Sequence, residues 1–230
     1  MSAPGGPDAG LDVLPFSTEG PPAVRGFLHR PAGAVRDALV LTHGAGSSAE
    51  APLLVALARA FAAGGLAVLC CDLPFRQASP QGPPRAGAAA RDREGLRQAV
   101  LAARRLAPGR IVLGGHSYGG RQASLLAAEE PGLADALLLL AYPLHPPRRP
   151  ADLRTAHFPR LRTRALFVHG TRDRFGSPEE LRAALALVPA PTALLEIEGA
   201  GHDLAPARRA TRRGSDVTGA VVPALLDLVG

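Results

Sequence analysis

Ile111-Val112-Leu113-Gly114-Gly115-His116-Ser117-Tyr118-Gly119-Gly120 sets an apolar run against a serine that has glycine two residues away on either side. A chain that leaves a strand and enters a helix within so few residues must bend sharply. Side chains two positions from the apex would collide with the turn, so both flanks call for glycine. The apex residue is strained and its side chain stands clear of the sheet. It sits above the N-terminal end of a helix beginning near Tyr118, where the backbone dipole is positive. The pattern predicts Ser117 placed for nucleophilic attack. Its bland alternative is a glycine-rich turn in which Ser117 merely caps the helix.

On both sides of this turn, strand-length apolar runs alternate with longer segments whose apolar residues recur at helical spacing. That is the mark of a parallel sheet covered by helices on both faces. Strands are predicted at Leu11–Ser17, Ala23–His29, Ala38–Thr42, Leu66–Asp72, Ile111–Gly115, Ala136–Ala141, Ala165–Val168 and Thr192–Ile197. Helices are predicted at Ala51–Ala63, Arg91–Leu106, Gly119–Glu130, Pro178–Leu187 and Val217–Val229. The proline-rich stretch Pro74–Ala90 reads as a loop and a candidate flap, and the connector His145–Arg164 is too short for a separate cap domain. A chain of 230 residues with 47% hydrophobic content buries one sizeable core, so one domain over residues 1–230 is expected.

A serine hydroxyl is a poor nucleophile at neutral pH. It needs a general base, and the base needs an acid that holds its tautomer. In a sheet of this kind the acid follows a late strand and the histidine follows the last one. Asp173, in Leu166-Phe167-Val168-His169-Gly170-Thr171-Arg172-Asp173, and His202, in Gly199-Ala200-Gly201-His202-Asp203, fill those places in that order. Each interval holds the helix and strand that must intervene, so the three side chains can meet at the carboxyl edge of the sheet. Asp203 and Glu198 are rival carboxylates that flank the histidine, and Asp173 is preferred. Acyl transfer also needs N–H donors aimed at the developing oxyanion. The small residues of His43-Gly44-Ala45-Gly46, after the third strand, suit this need. Ala45 is the expected donor from that turn, with Gly46 the alternative, and the Tyr118 amide is the expected second donor.

All 26 basic residues are arginine, the formal net charge is +6, and the pI is near 10.7. The arginines are spread along the chain in a way that fits a compositional bias rather than a stripe for nucleic acid, so no nucleic-acid partner is expected. Denser spots occur at Arg148-Arg149, Arg208-Arg209 and Arg212-Arg213. The adjacent Cys70 and Cys71 point to opposite faces of a strand and read as reduced core thiols. Met1-Ser2-Ala3-Pro4-Gly5-Gly6 has neither a basic start nor an apolar stretch for export, which makes a cytoplasmic location the default. The longest apolar run is far short of the about 20 residues that cross a bilayer, so no membrane span is expected.

With these motifs in this order, the chain resembles the alpha/beta-hydrolase superfamily from Ala38 to the final helix. Its size, lack of a cap and the run Gly114-Gly115-His116-Ser117-Tyr118-Gly119-Gly120-Arg121 resemble the compact dienelactone-hydrolase-like branch. Typical members of that branch carry cysteine where this chain has Ser117, so simple ester or thioester hydrolysis is the activity implied. The resemblance implies a three-layer sandwich around a mostly parallel sheet of seven or eight strands. It also implies Ser117 as nucleophile, His202 as base, Asp173 as orienting acid, Ala45 and Tyr118 as oxyanion donors, and no metal or organic cofactor. The expected partner is a small-molecule ester or thioester. His43, Gly46, Phe75, His116, His145 and Phe175 are the expected pocket residues. A shallow acyl pocket for short chains is expected from Leu73-Pro74-Phe75, Tyr142-Pro143-Leu144 and Phe175. A catalytically inactive scaffold, a peptidase and an acyltransferase are the alternatives that the same residues allow.

Overall fold

A computed structural model describes residues 11–205 and 217–230. The amino-terminal Met1–Gly6 and the pairs Arg208-Arg209 and Arg212-Arg213 lie outside the described residues. The strands are β1 (Leu11–Ser17), β2 (Arg25–Pro31), β3 (Ala38–Thr42), β4 (Ala67–Asp72), β5 (Ile111–His116), β6 (Ala136–Leu140), β7 (Arg164–Gly170) and β8 (Thr192–Ile197). The helices are α1 (Pro52–Ala63), α2 (Pro74–Ala78), α3 (Ala88–Leu106), α4 (Tyr118–Glu129), α5 (Pro178–Leu185) and α6 (Val217–Val229).

The strands form one sheet in the order β1-β2-β4-β3-β5-β6-β7-β8. β1 pairs antiparallel with β2 and β2 antiparallel with β4, and the other neighbours are parallel. Strands β3, β4, β5, β6 and β7 are almost wholly buried, which is why they read as continuous apolar runs rather than alternating ones. Alternate residues feed two cores. Val40, Leu113, Leu139 and Phe167 pack with α3, α4 and α5, whereas Leu41, Val112, Leu138 and Val168 pack with α1 and α6. Cys70 and Cys71 fall into different cores, both free and buried, and burial pushes both thiols up. The result is the three-layer sandwich that the sequence implied.

The Pro74–Ala90 stretch departs from its reading as a loop. Pro74 opens α2 at its first turn, where a missing N–H costs nothing, and the Phe75 N–H donates to Asp92 Oδ1 at 3.0 Å. A cap supplied from α3 is invisible to local sequence patterns. α3 itself starts at Ala88, earlier than its periodicity suggested, behind Gly87 at φ 86°. The β6–β7 connector carries a single 3-10 turn, Phe158–Arg160, in place of a cap domain. Among the described residues no helix is long and apolar enough to cross a membrane.

Candidate active site

Ser117 has φ 50° and ψ −112°, a conformation that costs a non-glycine residue of order 1–3 kcal/mol. Its surroundings enforce that backbone. A Cβ on Gly115 would lie 2.8 Å from Gly119 C and Gly120 N, and one on Gly119 would lie 2.6 Å from His43 O and Thr42 Cγ2. The start of α4 therefore comes close to β5 at Gly115 and to the end of β3 at Gly119, where a side chain would not fit. The Ser117 N–H donates to Leu140 O at 2.8 Å and the Arg121 N–H to Ser117 O at 2.9 Å, so the turn is tied to β6 and into α4.

The three residues expected to act together meet at the carboxyl edge of the sheet. Ser117 Oγ lies 2.7 Å from His202 Nε2, and His202 Nδ1 lies 2.7 Å from Asp173 Oδ2. Asp173 Oδ1 accepts the Phe175 N–H at 2.9 Å, which fixes the carboxylate in its plane. Its side chain is wholly buried, and that of His202 keeps 23% exposure. With Nδ1–H donated to the carboxylate, Nε2 is free to accept the serine proton. Phe175 stacks on the imidazole with centroids 4.2 Å apart and planes 32° from parallel. Beside Asp173, the buried His169 donates its Nε2–H to Gly176 O at 2.8 Å.

The turn after β3 faces the same point. Ser47 N–H donates to Gly44 O at 3.1 Å, closing a turn over Gly44-Ala45-Gly46-Ser47, and a Cβ on Gly44 would lie 3.5 Å from Ser117 Cβ. Peptide planarity makes the Ala45 N–H point opposite to the Gly44 carbonyl. Among the described residues, no backbone acceptor in a turn, loop or cap takes the Ala45 or the Tyr118 N–H. Tyr118 is the first residue of α4, where an N–H has no intrahelical acceptor.

The expected pocket residues are distributed less simply. His43 is fully buried and built into the turn, with Nδ1–H donating to Gly44 O at 2.8 Å and Nε2 accepting the Leu73 N–H at 3.1 Å. Asp72 Oδ1 is 3.5 Å from the same Nε2, but burial depresses the His43 pKa, and a nitrogen that accepts from Leu73 carries no proton to share. His116 donates Nε2–H to His202 O at 2.7 Å, and burial likewise holds its ring below the usual range. His43, Gly44 and His116 border a cavity of about 650 Å³ whose other walls come from α1 and α6, together with Asp203, Leu204 and Ala205. Gly46 is exposed at the tip of its turn. His145 is buried and ties the connector to α5, with Nε2 3.4 Å from Glu180 Oε2.

The residues expected to form a shallow acyl pocket divide between the core and the surface of the site: Phe175 lies against His202, while others are covered. Leu73, Tyr142 and Leu144 are buried in the core, because α3, α4 and the connector cover them, and the Tyr142 hydroxyl donates to Arg154 O at 2.6 Å. Pro74 and Phe75 instead line a second cavity of about 620 Å³ beside α2 and α3.

Sequence reading missed Asp92 and Arg76. Asp92 is fully buried and accepts the Tyr118 hydroxyl at 2.8 Å, so one carboxylate braces both the start of α2 and the residue after Ser117. Burial raises its pKa, while its bonds to Tyr118 and Phe75 pull the other way. A second serine–histidine pair, Ser124 Oγ with His157 Nε2 at 2.8 Å, is of a different kind. Ser124 gives its own proton to Arg121 O at 2.9 Å, both side chains are buried, and among the described residues the charged neighbours of His157 are Arg121 and Arg160 rather than a carboxylate. Among the described residues no group of three or more His, Cys, Asp or Glu side chains is placed to hold a metal ion.

Comparison with known proteins agrees with this architecture. Dienelactone hydrolase from Anabaena variabilis is 21% identical, with 91% of this chain and 96% of that one covered and a TM-score of 0.69. An alpha/beta serine hydrolase without a lid from Xanthomonas campestris is 18% identical, with 94% of each chain covered and a TM-score of 0.67. Est1E from Butyrivibrio proteoclasticus is 18% identical, with 94% of this chain and 98% of that one covered and a TM-score of 0.72. At such identities the likeness speaks for the fold. A family model described as alpha/beta hydrolase domain matches residues 35–229, nearly the whole chain, and the protein belongs to that family.

Proposed function

We propose that the protein is a serine hydrolase that cleaves small carboxylic esters or thioesters through an acyl-enzyme. The reading is carried by the continuous hydrogen-bonded chain from Ser117 Oγ through the His202 ring to Asp173, with both contacts at 2.7 Å. Ser117 attacks the substrate carbonyl while His202 Nε2 takes the hydroxyl proton. Asp173 holds the Nδ1–H and stabilises the imidazolium without taking a proton itself. The Ala45 and Tyr118 N–H groups receive the oxyanion. His202 then gives its proton to the departing alcohol or thiol, and water, deprotonated by the same ring, releases the acid.

The test is intact-protein mass after exposure to a fluorophosphonate, for the native chain and for Ser117→Ala. One adduct on the native chain and none on the variant is the expected result. A folded native chain that takes no adduct would remove the proposal.

A further inference from the structure

Arg76, on α2, is buried to 7% exposure, and among the described residues no carboxylate pairs with it. Its guanidinium is satisfied by backbone carbonyls. Nε donates to Ser47 O at 2.7 Å, Nη2 to Ala45 O at 2.9 Å and to Gly82 O at 3.0 Å, and Nη1 to Ser79 O at 3.1 Å. The carbon of the same group lies 5.0 Å from the centre of the Phe75 ring. A buried cation is costly unless its donors are used, and here the planar fork spends them on two separate loops.

One of those loops is the turn that faces Ser117. The Ala45 carbonyl and the Gly46 N–H belong to one planar peptide and point in opposite directions. Drawing Ala45 O toward Arg76 turns that peptide, and the Ser47 bond anchors the far end of the same turn. The near end is held by Ser47 N–H on Gly44 O. Arg76 is itself fixed, because Asp92 caps the Phe75 N–H and Gly95 leaves room for Pro74, whose Cδ and Cγ would be 2.6 Å from any Cβ there. Asp92 also accepts the Tyr118 hydroxyl, so one carboxylate on α3 contacts both the start of α2 and the side chain that follows Ser117.

We propose that Arg76 is a positioning residue for acyl transfer, holding the Gly44–Ser47 turn by its Ala45 and Ser47 carbonyls so that the Ala45 N–H at the near end of the turn stays presented to the oxyanion. This rests on the serine-hydrolase reading. Arg76 touches no substrate and acts through the turn alone. Losing an oxyanion donor typically costs about 100-fold to 1,000-fold in kcat, and losing the group that aims it should approach the lower figure.

The experiment compares native protein, Arg76→Ala and Arg76→Lys on a p-nitrophenyl ester, with circular dichroism and thermal melting as controls for folding. Arg76→Ala is expected to lower kcat by about 100-fold with little change in KM, the signature of an interaction expressed in the transition state. It should weaken a trifluoromethyl ketone, which forms an anionic adduct on the serine, by a similar factor. Guanidinium chloride far below its denaturing range should restore part of the lost kcat. Arg76→Lys should recover little, because one ammonium lacks the fork that reaches both loops. Native kcat in folded Arg76→Ala, a loss confined to KM, or a loss that guanidinium does not rescue would overturn the proposal. So would failure of both variants to fold, which would assign Arg76 to stability. If the native protein shows no Ser117-dependent turnover, the hydrolase reading fails instead.

Discussion

His116 donates its Nε2–H to the backbone carbonyl of His202 across 2.7 Å, and the two rings lie 5.3 Å apart. The residue before the candidate nucleophile thus steadies the loop that carries the candidate base. A hydrogen bond of this kind contributes about 0.5–1.5 kcal/mol net. If that energy serves to hold the ring in place, His116→Ala should lower kcat roughly 3-fold to 10-fold, with substrate binding nearly unchanged. Steady-state kinetics on a p-nitrophenyl ester reads this directly, and an unaltered kcat would show that the loop holds itself.

The strain at Ser117 predicts a trade of activity for stability. Glycine occupies φ 50° without the side-chain clash, so Ser117→Gly should raise unfolding free energy by about 1 kcal/mol or more while abolishing turnover. Urea melts of the two proteins provide the comparison. Equal or lower stability in the variant would mean that the greater freedom of glycine in the unfolded chain offsets the relief of strain.

Asp173→Asn preserves shape and tests the tautomer. An amide can donate to Nδ1 and so leave the proton on Nε2, the wrong face for accepting from Ser117, which costs about 10,000-fold in kcat where the triad operates. A variant that keeps within tenfold of native turnover would move the orienting role to another carboxylate, with Asp203 the first to examine.

Acid lability should trace to buried imidazoles, above all His157. Burial, with Arg121 and Arg160 nearby, pushes its pKa from 6.5 down to about 4. The unfolded chain then binds a proton more readily than the folded one between those values. Stability is fully present above about pH 6.5, falls as pH drops through that window, and reaches a loss of roughly 3 kcal/mol near pH 4 from this residue alone. His29, His43 and His116 are depressed in the same direction, each chiefly by burial. His157→Gln, which retains a donor for Ser124, should show a smaller fall in urea midpoint between pH 7.5 and pH 5 than the native protein. A parallel fall in both would exclude His157 as the source.

Much of the site was legible in the chain because its causes are local or nearly so. Gly115 and Gly119 are demanded by sterics two residues from Ser117, and continuous apolar runs betray strands buried on both faces. The order of Ser117, Asp173 and His202 follows from where successive strands end. That these three side chains meet at hydrogen-bond distance was decided by the parallel register of β5, β6, β7 and β8, which aligns the strand ends.

Other features had no local signature. Arg76 is one arginine among 26 basic residues, and its partners are backbone carbonyls, which any residue type supplies. α2 is a five-residue helix whose cap comes from Asp92 on another element, so propensity and periodicity could not reveal it. The segments after β4 and β6 look like pocket walls when read as chain, yet the helices and connector packed over them make Leu73, Tyr142 and Leu144 core. Steric rules and strand order act along the chain and can be read from it. Capping, coverage and the direction of a buried cation depend on contacts between segments far apart in sequence, and only the folded packing decides them.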